Sequence, residues 1–140
     1  MNNKVLLSTL VGTVAAFLIG FLIYGFLLDG FMKNNAGMPE GFMKAEPQMV
    51  TMVLANAAFA LLLTYIFHRW AGIKSASGGA AAGTIIGFLM ISTFDLLMYS
   101  TSNMMNLTGL IADILGFTAM SAATGAVIGW FLGRGETVKA

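Results

Sequence analysis

Four stretches of this chain, at about 5–28, 48–67, 79–100 and 107–132, each run for twenty or more residues, with only two charged side chains among them, Asp95 and Asp113. A helix rises 1.5 Å per residue, so about 20 apolar residues carry it across the hydrocarbon of a bilayer. Inside lipid each backbone N–H and C=O must find a partner without water, and a helix supplies those partners within its own segment. Composition supports the same conclusion. Only 9% of residues are charged, against roughly 25% in soluble domains, too few to cover the surface of a small water-soluble domain. The patterning predicts a single all-α, four-transmembrane-helix bundle in a lipid bilayer, with a loop at 29–47 on one face. The first run exceeds the roughly 7–15 residues of a signal-peptide core, so it is read as a retained span.

The connections give the direction of the chain. The first, "DGFMKNNAGMPEGFMKAEP", holds both prolines and five of the thirteen charged residues. The second, "HRWAGIKSASGG", ends in a Ser/Gly stretch that reads as a flexible hinge into the third helix. The third, "STSNMMN", is a short polar turn and implies an antiparallel hairpin. In a four-span arrangement Lys4, Arg69, Lys74, Arg134 and Lys139 share one side, whereas Lys33 and Lys44 lie on the other beside Asp29, Glu40 and Glu46. Five cations against two place both termini in the cytoplasm. Trp70 and Trp130 lie near that face as interfacial anchors, and His68 beside them reads as an interfacial side chain.

Several classes of function are excluded. A net charge of +1 offers no basic patch for nucleic acid. With no cysteine and one histidine there is no thiol chemistry, disulfide or zinc-ligand cluster, and no cofactor is implied. "SASGGAAAG" lacks the Gly-Lys-Ser/Thr ending of a phosphate loop. Deep acids without a nucleophile or metal set give no basis for an enzyme.

Small residues recur every fourth position: Gly12, Ala16 and Gly20 in the first helix, Gly79, Gly83 and Gly87 in the third, Gly125, Gly129 and Gly133 in the fourth. Such stripes let helix backbones approach closely in lipid. They leave open whether the partner is a neighbouring helix or a second subunit. A weak echo between "GTVAAFLI" at 12–19 and "GTIIGFLM" at 83–90 hints at parallel halves. The loop carries "GFMK" twice, at Gly30–Lys33 and Gly41–Lys44. Each copy reads as an interfacial anchor, the alternative being a lid over the helix ends. Met32, Met38 and Met43 are read as packing side chains.

Asp95 and Asp113 carry the chemistry. Each is nine residues from the centre of the third connection, near Met104, so the two lie at similar depth on adjacent antiparallel helices. No Lys or Arg falls within any span. Desolvation and mutual repulsion both act against two charged carboxylates there, so at least one is expected to be protonated at neutral pH. Tyr24, Thr51, Asn56, Ser92 and Tyr99 lie in the same half of the membrane and are expected to complete a polar cluster drawn from all four helices. Thr124 is on the Asp113 face but deeper. Acids within a membrane either bond helices together or mark a proton or cation path.

"GFLIYGFLLDGFM" at Gly20–Met32, "GGAAAGTIIGF" at Gly78–Phe88 and "LTGLIADILGFTAMSAATGAVIGWFLG" at Leu107–Gly133 together resemble a bacterial family of small four-helix integral membrane proteins whose shared domain has no defined function. Ile23 stands where such relatives often carry Trp. The resemblance implies the topology and a bacterial inner membrane, and it brings no activity. Small multidrug exporters share the size and span number, but their coupling glutamate is in helix one, where this chain has no acid before Asp29.

Two functions follow as expectations. One is a small proton- or cation-coupled carrier built on the acid pair, working as a homo-oligomer because four helices enclose little volume. The other is a non-transporting accessory or scaffold subunit that docks a larger membrane complex through its glycine stripes.

Overall fold

A computed structural model of the chain describes residues 3–38 and 41–134. Pro39, Glu40 and Lys139, all used above, lie outside the described residues. Four helices are long and apolar enough to cross a membrane: Asn3–Leu27, Met49–Ala71, Ala76–Thr101 and Leu107–Gly133. Helix α1 (Asn3–Gly20) continues as a π-helical segment, Phe21–Leu27. A short helix α2 (Asp29–Asn35) follows. Helix α3 (Met49–Tyr65) also runs on into a π-helical segment, Ile66–Ala71. Helices α4 (Ala76–Thr101) and α5 (Leu107–Gly133) form the last hairpin. Leu18, Phe21, Ile85, Leu89, Phe94 and Leu97 point outward and exposed, the surface that lipid accepts and water does not. The chain is an all-helical, multi-pass membrane protein.

Local chemistry explains where the helices start and stop. Ser75 caps α4, its Oγ accepting from the Gly78 N–H at 3.1 Å, a bond that satisfies one orphan donor of the first turn. Gly78 and Gly79 are therefore helical, and the expected Ser/Gly hinge is instead the first turn of α4. The α3 span ends at Ala71, beyond the expected limit near 67. Gly72 then takes a left-handed conformation, φ 61°, which a glycine adopts without a Cβ penalty. The expected loop at 29–47 contains α2. Asp29 in its first turn and Lys33 in its last complement the helix dipole and pair at 2.8 Å.

Helix α5 is the hub, lying against α1 on one side and α4 on the other. The glycine stripes explain both contacts. A Cβ on Gly79 would strike the Gly125 carbonyl, one on Gly83 the Ser121 carbonyl, and one on Gly87 the Ser121 side chain. Reciprocally, Gly125 faces the Gly79 carbonyl, Gly129 that of Ser75 and Gly133 that of Lys74. With the backbones this close, the Ser121 hydroxyl donates across the gap to the Gly83 carbonyl at 2.6 Å. On α1, Gly12 gives room to Ile128 and Ala60, Ala16 is fully buried, and Gly20 faces the Met120 sulfur. Each stripe is thus covered within the chain. Phe59, Leu63, Phe67, Ile128 and Leu132 fill the core at the far end from the α4–α5 turn. There the Arg134 guanidinium stacks 3.7 Å from the Trp130 ring, and Tyr65 meets Trp70 edge to face.

Candidate intramembrane acid site

The two acids occupy equivalent places on the hairpin. Asp95 is six residues before the end of α4 at Thr101, and Asp113 is six residues after the start of α5 at Leu107. Each is therefore ~9 Å inside its helix end. The turn between them is fixed by Asn106, whose side chain accepts from the Gly109 N–H at 2.9 Å and caps α5.

Asp113 is half-buried and has a dedicated partner. The Tyr24 hydroxyl donates to its Oδ1 at 2.5 Å. Tyr24 belongs to the π-helical end of α1, where the Leu28 N–H bonds to the Ile23 carbonyl at 2.8 Å, five residues back. Such wide turns are found often at functional sites, because they displace side chains from the regular helical phase. Opposite them on α5 is Gly116. A Cβ there would lie 2.8 Å from Leu28 Cδ1, 3.3 Å from Ile23 Cγ2 and 3.5 Å from the Tyr24 hydroxyl oxygen. The absence of a side chain at Gly116 makes room for Leu28 and Ile23, the neighbours of Tyr24 on the wide turn.

Asp95 is the opposite case. It is 0% exposed, and among the described residues neither carboxyl oxygen has a hydrogen-bond partner. It lies within electrostatic reach of Asp113, as does Tyr24 of both acids. Ser92, one turn deeper, also buries its Oγ without a partner. A buried polar group without a partner typically costs about 1–3 kcal/mol, a cost shared by the Thr64 and Thr124 hydroxyls deeper in the bundle. The pair is asymmetric: one acid is held, the other is left open.

The expected cluster from four helices shrinks to three. Tyr24 joins Asp113, and Ser92 and Tyr99 flank Asp95 on α4. Thr51 and Asn56 do not join, because α3 leans on α1 and reaches α5 only deeper, where Phe59 meets Phe117 at 5.3 Å between ring centroids. The Thr51 hydroxyl donates to the Gln48 carbonyl at 2.8 Å, and the Asn56 amide to the Met52 carbonyl at 2.8 Å. Thr124 is fully buried, its hydroxyl without a partner. His68 is exposed, and so are Phe31, Phe42 and Met43 of the two "GFMK" copies. Among the described residues no three His, Asp or Glu side chains are grouped to hold a metal ion.

Sequence reasoning passed over Gly116 and the asparagines of the loop face. The Asn106 amide donates to Asn35 Oδ1 at 2.9 Å, the Asn106 N–H to the Asn35 carbonyl at 3.1 Å, and the Gly37 N–H to the Met104 carbonyl at 2.9 Å. These bonds tie the end of α2 to the α4–α5 turn. The available signal was compositional: "KNNAG" and "SNMMN" both lie on the loop face. Compared with protein families, curated proteins and solved structures, the chain shows no match.

Proposed function

We propose that this chain is a bacterial inner-membrane protein, with both termini cytoplasmic, that binds a proton or small cation reversibly at Asp95 and Asp113 and couples that binding to the carriage of a solute. One observation supports this above the rest: Asp95 is sealed from solvent with both oxygens unpartnered, level with a second acid. An ionised carboxylate in that position costs several kcal/mol, so the packed arrangement suits the protonated acid. Losing the proton then requires a compensating cation or a change in packing, and that requirement is what couples ion binding to conformation. The two acids divide the work. Asp113 accepts from Tyr24 and stays anchored; Asp95 exchanges. The Ser92 hydroxyl, one turn away, can donate to the charged form or accept from the neutral one.

Orientation is supported by Lys4, Arg69, Lys74 and Arg134 at the end with both tryptophans, against Lys33 and Lys44 at the other. The resemblance noted in the sequence supports the bacterial setting. A scaffold role would need a surface other than the glycine stripes, since those are covered inside the chain.

The test is proton flux. The protein is reconstituted into vesicles holding a pH-sensitive dye, and a pH gradient is imposed. Wild type is expected to dissipate the gradient, Asp95→Asn to lose that activity, and Asp113→Asn to reduce it. Equal rates for wild type and Asp95→Asn would reject the assignment.

A further inference from the structure

A cleft of about 490 Å³ opens at the loop face, between the end of α2 and the α4–α5 turn. Asn34, Asn103, Tyr99 and Ser102 line it together with the Asn35–Asn106 pair. Among the described residues no Lys, Arg, Asp or Glu contributes to its wall. Amide oxygens and hydroxyls solvate a cation, and no fixed positive charge repels one.

The cleft and the acids are in register. Ser102 is seven residues beyond Asp95, and Asn106 is seven residues before Asp113. Ser102 and Asn106 are the residues that end α4 and precede α5, so the cleft lies ~10 Å beyond the acids along both helices. Tyr99 is 44% exposed and lines the cleft, while Asp95, one turn deeper on the same helix, is fully buried. Tyr99 is thus the residue of an amide-walled cleft that stands one helical turn from the unpartnered acid. One turn above Asp113, Gly109 carries no side chain and Asn35 packs over it, 3.2 Å from where a Cβ would be.

We infer that this cleft is the aqueous entrance to the acid pair, admitting hydrated protons or small monovalent cations from the loop face, with Tyr99 as the stopper. The inference deepens the proposed function and names its side and its gate. The hydrogen bonds between Asn35 and Asn106 hold the rim, so the movable part is the Tyr99 ring and not the loop.

The test uses the natural absence of cysteine. Ser92→Cys is nearly isosteric, keeps both acids and lies beyond Asp95 from the cleft. Lys44→Cys and Arg69→Cys report which side of a vesicle a reagent faces. Impermeant thiosulfonate reagents, one cationic and one anionic, are added to one side at a time. Ser92→Cys is expected to react only from the side where Lys44→Cys reacts, and severalfold faster with the cationic reagent than with the anionic one, which the Asp113 carboxylate repels. Adding Tyr99→Ala should speed that reaction, and adding Asn103→Trp, which fills the cleft, should abolish it. Asp95→Cys gives the same readout of side and cleft should Ser92→Cys misfold. Reaction from the Arg69 side, no reaction even with Tyr99→Ala, or indifference to Asn103→Trp would each overturn the entrance. Labelling as expected with no proton flux would sink the carrier reading and leave the entrance standing; flux with labelling from the wrong side would do the reverse.

Discussion

The hydroxyl of Tyr24 offers the most direct measure of how the acid site is built. Tyr24→Phe deletes one oxygen and leaves the ring against Ile23 and Gly116, so the change isolates the 2.5 Å bond to Asp113 Oδ1. Side-chain hydrogen bonds between membrane helices average about 0.6 kcal/mol and reach about 1.7. Those to a charged acceptor contribute about 1.5–3 kcal/mol. A short bond to a carboxylate belongs where these ranges meet, at about 1.5 kcal/mol, which is roughly tenfold in the unfolding equilibrium. A double-mutant cycle with Asp113→Leu separates the bond from the cavity and solvation effects of each single change. Unfolding is followed by circular dichroism as the denaturing-detergent fraction of mixed micelles rises. Tyr99→Phe, at the cleft, serves as the control and should shift stability by less than about 0.5 kcal/mol. A coupling between Tyr24 and Asp113 no larger than about 0.5 kcal/mol, the scatter found for independent sites, would refute the claim that Tyr24 anchors that acid.

Further outcomes follow from the same geometry. Asp95→Leu removes a buried group without a partner and should raise stability by about 1–3 kcal/mol while abolishing proton flux; loss of both would mark Asp95 as structural. Gly83→Leu drives a side chain into the Ser121 carbonyl and should cost at least the 1–3 kcal/mol typical of overpacking, whereas Gly30→Ala, with open space around it, should stay within about 0.5 kcal/mol. Equal thermal stability of those two variants in detergent would contradict the α4–α5 contact. Asn106→Ala removes the α5 cap and the side-chain bond to Asn35 while keeping the backbone bond, at a cost of about 1–2 kcal/mol, and should speed proteolysis of the 36–48 segment. An unchanged cleavage rate would separate the cap from the tie.

The spans were legible because hydrocarbon imposes length and apolarity on any crossing helix, and the described limits differ from the expected ones by a few residues at each end. The matched depth of Asp95 and Asp113 was legible too, since a short hairpin turn fixes the register of the helices it joins. Helix order in space was not. Nothing in the spacing of Thr51 and Asn56 states that α3 leans on α1 and leaves the acids to α4, α5 and the end of α1. The target of the glycine stripes was equally hidden, because a small-residue face fits a neighbouring helix and a second subunit alike. The π-helical turn that carries Tyr24 lays Leu28 and Ile23 against Gly116, a pairing visible only in three dimensions. Ser75 was readable as a cap in principle, but the glycines after it argued for a hinge; the Ser75 cap on Gly78 and the close approach of Gly79 to α5 outweigh their weak helix propensity.

Infrared difference spectroscopy between wild type and Asp95→Asn in lipid bears most directly on the acid pair. A protonated-carboxyl C=O stretch belonging to Asp95 is expected at neutral pH, fading reversibly as the pH on the loop side is raised. A difference spectrum showing only an ionised carboxylate at neutral pH, or a protonated band that no pH change reaches while the helices stay folded, would contradict an exchanging acid at Asp95.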